Sequence, residues 1–382
     1  LFCDLRRASS IHGGLFESTS EYEILCLSLD RPCIRSAAAL ETEKVNFKEK
    51  LFGFIPLGWR YELTGINGIR LFLKSRWIPF LLIVFSLFLV TVALVSGFLG
   101  GFSAGNYNFG VTMVWIFWWV ALMVFMVPIF SRIWCAVCPF PLFGEWAQRG
   151  KLIGVATRLL GLQKHWPMSL RNMWLMNVLF LILSLGGGFF TVSPFWTFVV
   201  LGAMFVFATI SMFIWEKRTF CLYICPVSGF QGLYANLSMC EVRRKDPEVC
   251  RAHIQKTCVT GNEHGYGCPW GLLPYRFQKN TYCGMCLECF KSCPYDNMAF
   301  NLRPPGVDLF LDKERGLDEA WKAFIMLGIA LSFFLVFQGP YGFLKDWARA
   351  RTPLGYLSFI TLHTFTAAFL IPLMHLGFAY LS

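Results

Sequence analysis

The chemistry of this chain lies in its cysteines. In the run Cys283-Gly-Met-Cys286-Leu-Glu-Cys289-Phe-Lys-Ser-Cys293-Pro294, three thiolates at x2 spacing can wrap one corner of an iron–sulfur cubane, while the fourth, fixed by a proline turn, reaches a second cluster. Zinc also takes C-x2-C pairs, but four ligands complete a zinc site and leave a third x2 step and a Cys-Pro ending without purpose. A paired module needs a second run, and Cys250-Arg-Ala-His253, Lys-Thr-Cys258 and Gly-Cys268-Pro269-Trp270 supply one in stretched form. Crossed ligation assigns Cys283, Cys286, Cys289 and Cys268 to one [4Fe–4S] cluster, and Cys250, Cys258 and Cys293 to another. The fourth ligand of the second cluster is open between His253, whose neutral imidazole would raise the potential, Cys240, and none at all in a three-iron cluster.

Cys135, Cys138, Cys221 and Cys225 form a third group. Ser-Arg-Ile-Trp-Cys135-Ala-Val-Cys138-Pro139 and Lys-Arg-Thr-Phe-Cys221-Leu-Tyr-Ile-Cys225-Pro226 each close an apolar run, so 109–143 and 195–230 read as an internal repeat of two helix hairpins. Repeated hairpins commonly pack about a pseudo-two-fold axis, which would gather the four cysteines into a third iron–sulfur centre or a redox-active thiol set. The plainer alternative is that each Cys-Pro merely ends a helix. His363 and His375 lie in the last apolar run, where ionisable groups are costly and mark sites, and are the candidates for haem ligation or a quinone contact. Their separation, about 18 Å along a helix, keeps them from serving one haem together. Glu145, Glu216 and Glu288 read as solvated partners of Lys and Arg, no side chain is assigned a catalytic role, and no Gly-rich phosphate loop follows a strand.

The elements that must hold these cysteines follow from composition. Of 382 residues, 56% are hydrophobic and only 15% charged, a balance that calls for lipid. Six apolar runs have membrane length, about 77–97, 109–130, 173–190, 195–215, 321–339 and 355–381. The fold class is therefore an all-α transmembrane bundle of about six spans, with a small α+β ferredoxin-like domain for two clusters inserted in it. The divisions are 1–76, a basic segment without assigned role; 77–215, four spans and the two Cys-Pro motifs; 216–319, the iron–sulfur domain; and 320–382, two further spans. Cys3, Cys26 and Cys33 show no ligand spacing and read as buried or free thiols.

The net charge of +11 reflects topology rather than nucleic acid. The loop 131–172 carries Arg132, Arg149, Lys151, Arg158, Lys164 and Arg171, whereas 98–108 and 190–194 carry no charge, which places the basic side and the iron–sulfur domain in the cytoplasm. The last hairpin, with Lys345, Arg349 and Arg351, runs against that rule.

Paired Cys-Pro motifs after apolar runs, followed by this module, resemble the NosR/NapH family of polyferredoxin-like membrane proteins over about 77–382. The likeness is most specific in Cys221-Leu-Tyr-Ile-Cys225-Pro226, Gly267-Cys268-Pro269-Trp270 and Tyr282-Cys283 through Pro294-Tyr-Asp-Asn. It implies electron transfer in a prokaryotic cytoplasmic membrane, between the quinone pool or a cytoplasmic donor and a redox partner. The chain departs from the pattern in the shorter Cys135-x2-Cys138, in His253 at a cysteine position, and in lacking the flavin domain of NosR. A separate subunit, a multihaem cytochrome or a flavoprotein, is then expected in the complex. The second expectation is an assembly factor that reduces metal or thiols for a partner metalloenzyme.

Overall fold

The structure, a computed structural model, describes residues 50–51, 55–102, 107–151, 153, 160–311, 316–333 and 361–381. The thiols Cys3, Cys26 and Cys33 and the basic hairpin of Lys345, Arg349 and Arg351 lie outside these residues.

Among the described residues four helices are long and apolar enough to cross a membrane: α2 (Trp77–Gly100), α3 (Phe109–Phe130), α6 (Pro194–Ile214) and α10 (Thr361–Phe378). Helix α2 has no charged residue, and its outer face, with Phe85, Phe88 and Leu99, is exposed, the state of side chains that meet lipid. Its inner face is small. A Cβ at Gly110 of α3 would lie 2.6 Å from the Ala93 carbonyl, and one at Gly97 would lie 2.9 Å from that of Pro194, so α2, α3 and α6 meet where their backbones can approach closely. Asn108 caps α3 by accepting from the Gly110 and Val111 N–H groups, and Pro194 opens α6 at a position with no donor to lose.

The remaining runs differ from uniform spans. The third forms α5 (Trp174–Leu185) of 12 residues, about 18 Å long, followed by the short helix Gly187–Phe190. The described part of the fifth forms α9 (Leu317–Phe333), which opens on Asp318 and Glu319. Helices α5, α9 and α10 pack together with α7 (Pro226–Tyr234), while α4 (Leu142–Arg149) packs on α6.

The polar stretch is built on an antiparallel sheet with strand order β1 (Tyr61–Glu62), β3 (Met298–Leu302), β2 (Cys240–Arg244). Cys240 faces Leu302 and Arg244 faces Met298, while Tyr61 pairs with Leu302 from the other side. Segment 55–76 thus supplies an edge strand of this sheet. Its basic residues are spent on the same domain: Arg60 pairs with Glu241 at 2.6 Å, and from α1 (Asn67–Lys74) Arg70 and Lys74 reach Asp296 at 2.5 and 2.9 Å. Val242, Met285, Phe290, Met298 and Phe300 form the core with Cys240, Cys258, Cys283 and Cys289. Arg303, fully buried, pairs with Asp308 and with Glu241 at 3.1 Å, so that these three buried charges are partnered.

Candidate metal centres

The Cys283 run wraps because two residues between its cysteines turn left-handed. Met285 has φ 52° and Leu287 φ 58°, each at a cost of about 1–2 kcal/mol for a residue with a side chain, and the chain then enters the short helix Glu288–Lys291 that carries Cys289. Cys283, Cys286 and Cys289 line one hollow with Cys268, which arrives from the loop before Trp270. The rest of the lining is apolar, from Val242, Trp270, Leu272, Pro274, Phe277 and Leu287. The hollow has about 290 Å³ of atom-free space, part of it open to solvent. These are the four cysteines that crossed ligation assigns to one cluster.

Cys258 has both Cys250 and Cys293 as electrostatic neighbours, and it also neighbours Cys289 of the first set. Asn297 ties them: its backbone N–H donates to Cys293 Sγ at 3.3 Å and its side-chain amide to Cys250 Sγ at 3.2 Å. His253 ends α8 (Pro247–Ala252), half-exposed, with its ring edge-on to Tyr295, two residues beyond Cys293. Cys240 is buried on β2, where its charged neighbours are Arg303 and Glu241.

The two Cys-Pro motifs meet. Cys135 lies on the short helix Ile133–Val137, Cys221 on Phe220–Ile224, and Cys225 at the N-cap of α7 before Pro226. Cys138 has Cys221, Cys135 and Cys225 as electrostatic neighbours. Cys135 donates to Gln231 Oε1 at 3.3 Å. Arg132 Nη2 lies 3.9 Å from Cys135 Sγ and bonds the Ser228 hydroxyl, while Arg218 donates to the Cys135 carbonyl at 2.7 Å. Both guanidinium groups sit over the Trp270 ring, at 4.9 and 5.8 Å from its centroid. Trp270, Cys268, Cys135 and Cys221 belong to one buried core, with Cys138, Cys225 and Cys286 packed against it.

The electrostatics of these sets suit thiols that ionise only on metal. Burial, with repulsion from Cys221, pushes Cys138 well above the usual thiol range, and burial pushes Cys225, Cys258 and Cys268 up to about 11. A bound cation is what would let them lose their protons near neutral pH. The donor atoms fit a sulfur-rich anion: Arg132 Nε, Arg218 Nε, Gln231 Nε2 and Trp270 Nε1 are buried without a hydrogen-bond acceptor, and all four border these cysteines. An iron–sulfur cluster supplies acceptor sulfurs at such places. Among the described residues no three His, Cys, Asp or Glu side chains close to single-ion spacing, which a zinc site with sulfurs about 2.3 Å from the metal requires.

Three other expectations are placed as follows. His363 shares a 3.2 Å hydrogen bond with Ser184 and His375 packs its ring on Phe324, so neither a haem nor a quinone contact gains support. Of the three carboxylates read as solvated, Glu145 and Glu288 are buried: Glu145 takes Arg149 and, at 2.5 Å, Arg218, and Glu288 takes Lys291 at 2.9 Å. Glu216 meets His165 at the surface. Sequence reasoning gave Trp270 and Asn297 no role although both lie in the motifs it quoted, and the signal was there in the residues that follow each Cys-Pro.

Burial works to raise the Glu145 carboxyl, but Arg149 and Arg218 outweigh it and hold the group below the ordinary 4.5. A carboxyl lowered on folding adds stability above its unfolded value and loses it as pH falls through the folded one. Glu145→Gln is therefore expected to be less stable than the parent near neutral pH and to show a flatter decline below about pH 4.5, checked by urea midpoints across pH 3 to 7.

A family described as a 4Fe-4S binding domain matches residues 111–158 and 195–239. No curated protein and no solved structure matches the chain. Each matched segment holds an apolar helix and one cysteine pair, Cys135 and Cys138 in the first, Cys221 and Cys225 in the second. The match supports a ferredoxin-type iron–sulfur protein, and the described residues include helices long and apolar enough to cross a membrane.

Proposed function

We propose that this chain is the iron–sulfur electron-transfer subunit of a membrane redox complex of the NosR/NapH type. Cys268, Cys283, Cys286 and Cys289 hold one [4Fe–4S] cluster, Cys250, Cys258, Cys293 and His253 a second, and Cys135, Cys138, Cys221 and Cys225 a third at the membrane edge. His253 is preferred to Cys240 because its ring packs beside Cys293's own turn, whereas Cys240 faces the Arg303 and Glu241 charges. When bound, such clusters take up and release single electrons. The observation that carries the reading is the shared core: Trp270 and Cys268 lie in one buried cluster of side chains with Cys135 and Cys221, so the module's ligands and the membrane-edge ligands adjoin without intervening solvent. The apolar helices hold that junction at the bilayer, with the basic loop and module in the cytoplasm. Quinol or a cytoplasmic donor supplies electrons, and a haem or flavin subunit beyond the membrane receives them.

Iron and sulfide analysis of the purified chain tests this, with about twelve of each expected from three four-iron clusters. Quinol added to the purified complex should reversibly bleach the cluster absorbance. Eight irons would remove the membrane-edge centre, and failure of every quinol and soluble donor would remove the electron-transfer role. Normal iron content combined with metal loss from a client enzyme on deletion would favour the assembly function instead.

A further inference from the structure

Charge at the membrane edge does not balance. Arg132, Arg218 and Lys322 are buried there, at 2%, 5% and 0% exposure, and the buried carboxylate beside them among the described residues, Glu145, is shared between Arg218 and Arg149. Arg132 and Lys322 have no ion pair among the described residues. Arg132 donates to the Thr281 carbonyl at 2.6 Å and to Ser228 and lies over the Trp270 ring, all of them neutral, and its Nε has no acceptor among the described residues. Lys322 is poorer still: its Nζ lies 3.4 Å from the Met176 carbonyl and 4.0 Å from the centre of the Phe180 ring.

A lysine inside an apolar bundle ordinarily runs its ammonium out to water or meets a carboxylate. Lys322 does neither. The two nearest carboxylates along its helix are engaged elsewhere, Asp318 with the Met173 N–H at 2.7 Å and Glu319 with Lys279 at 2.9 Å. Its position in the second turn of α9 also puts it near the positive end of the helix dipole. It does approach α7: a side chain at Gly229, four residues beyond Cys225, would meet Met176 first and then the Lys322 Cε at 3.6 Å, and Cys225 is the thiol that Lys322 neighbours electrostatically. Arg132 completes the arrangement beside Cys135.

A buried guanidinium and a buried lysine without carboxylate partners both suit a negative group beside them. Four thiolates around a [4Fe–4S] core are doubly negative when oxidised and triply negative when reduced. We infer that Arg132 and Lys322 are the built-in counter-charges of the Cys135, Cys138, Cys221 and Cys225 centre, and that they favour its reduced state. This rests on the proposed third cluster. An electron passed to such a centre from a reduced neighbour would oxidise that neighbour by one electron, with no bond made and no proton moved. A fixed cation would favour the triply negative state over the doubly negative one and so raise the potential of a cluster held by these four cysteines.

Redox titration followed by EPR, with iron counted in parallel, tests the inference on the intact chain. Lys322→Met, of similar length but neutral, should keep about twelve irons and shift one cluster at least tenfold toward its oxidised form at a given potential, about 59 mV for one electron. Lys322→Arg should leave that cluster within a few-fold of the parent. Should Lys322→Met lose four irons while Lys322→Arg keeps them, the charge is needed to hold the anion, which also supports the inference. Unchanged potentials in Lys322→Met, or equal loss of iron in both variants, overturn it. A parent chain with only eight irons instead sinks the underlying third cluster, so the two failures are separate.

Discussion

Serine in place of Cys286 is expected to remove about four irons from the chain and, with them, the fold of the iron–sulfur domain. Cys286 lines the hollow beside Cys268, Cys283 and Cys289, and a serine hydroxyl does not ionise near neutral pH to replace a thiolate. The domain has little to stand on without metal. Strands β2 and β3 have five residues each, and the helices Thr257–Thr260 and Glu288–Lys291 have four, too short to propagate alone. Met285, Leu287 and Asp296 hold positive φ, each at about 1–2 kcal/mol, and ligation offsets that cost. In structural metal sites the binding free energy is in effect folding free energy, on the order of 10 kcal/mol. The checks are iron and sulfide content, far-UV circular dichroism, and trypsin cleavage at Arg276 and Lys279. Full iron content in Cys286→Ser would contradict the ligand assignment. Iron loss with trypsin resistance kept would contradict the structural role of the cluster.

Cys221→Ser offers the contrast. The membrane-edge cysteines sit beside the long apolar helices α3 and α6 and the shorter α4 and α7 packed among their neighbours, so loss of the proposed centre should leave the module's signals and the helical content in place. The difference between the two variants follows from where each ligand set sits, one as the core of small elements and the other at the ends of stable ones.

Ligand spacing within a short run is local, and for that reason the Cys283 run and the repeated Cys-Pro motifs could be read directly from residue order. The wrapping itself depends on φ at Met285 and Leu287, to which neither residue type points. Pairings across the chain left no mark. Arg60, Arg70 and Lys74 look like a basic approach to a membrane, and only the fold brings them to Glu241 and Asp296. Glu145 looks like any surface carboxylate, yet the return of the second hairpin sets Arg218 against it. Hydropathy marked apolar runs well but not their shape: 173–190 carries as much apolar character as a span and forms a 12-residue helix with a short continuation past Gly186. Lys322 was the least legible of all, one basic residue inside an apolar run. Its meaning comes from Met176, Phe180 and Gly229 on two other helices.

Gly284→Ala is expected to have the largest effect of any change that removes no ligand. A Cβ at this position falls inside the Trp270 indole, against Cε2, Cζ2 and Nε1. The indole cannot yield locally, being rigid, 2% exposed and covered by Arg132 and Arg218. Relief requires Trp270 to shift, and Cys268 lies two residues before it, so the strain passes to the module's hollow and to the arginines beside Cys135. Overpacking of this kind costs about 1–3 kcal/mol and more where the obstructing group is stiff. The expected result is a lower urea midpoint with changes in the EPR signals of both the Cys268 set and the membrane-edge set, though neither has lost a thiolate. Adding Trp270→Leu to Gly284→Ala opens the space and should recover most of the lost stability, a non-additivity that a double-mutant cycle measures. If Gly284→Ala alone leaves the midpoint and both signals as in the parent, then Trp270 does not join the two centres through Gly284. Failure of Trp270→Leu to restore stability would show that the obstruction lies elsewhere.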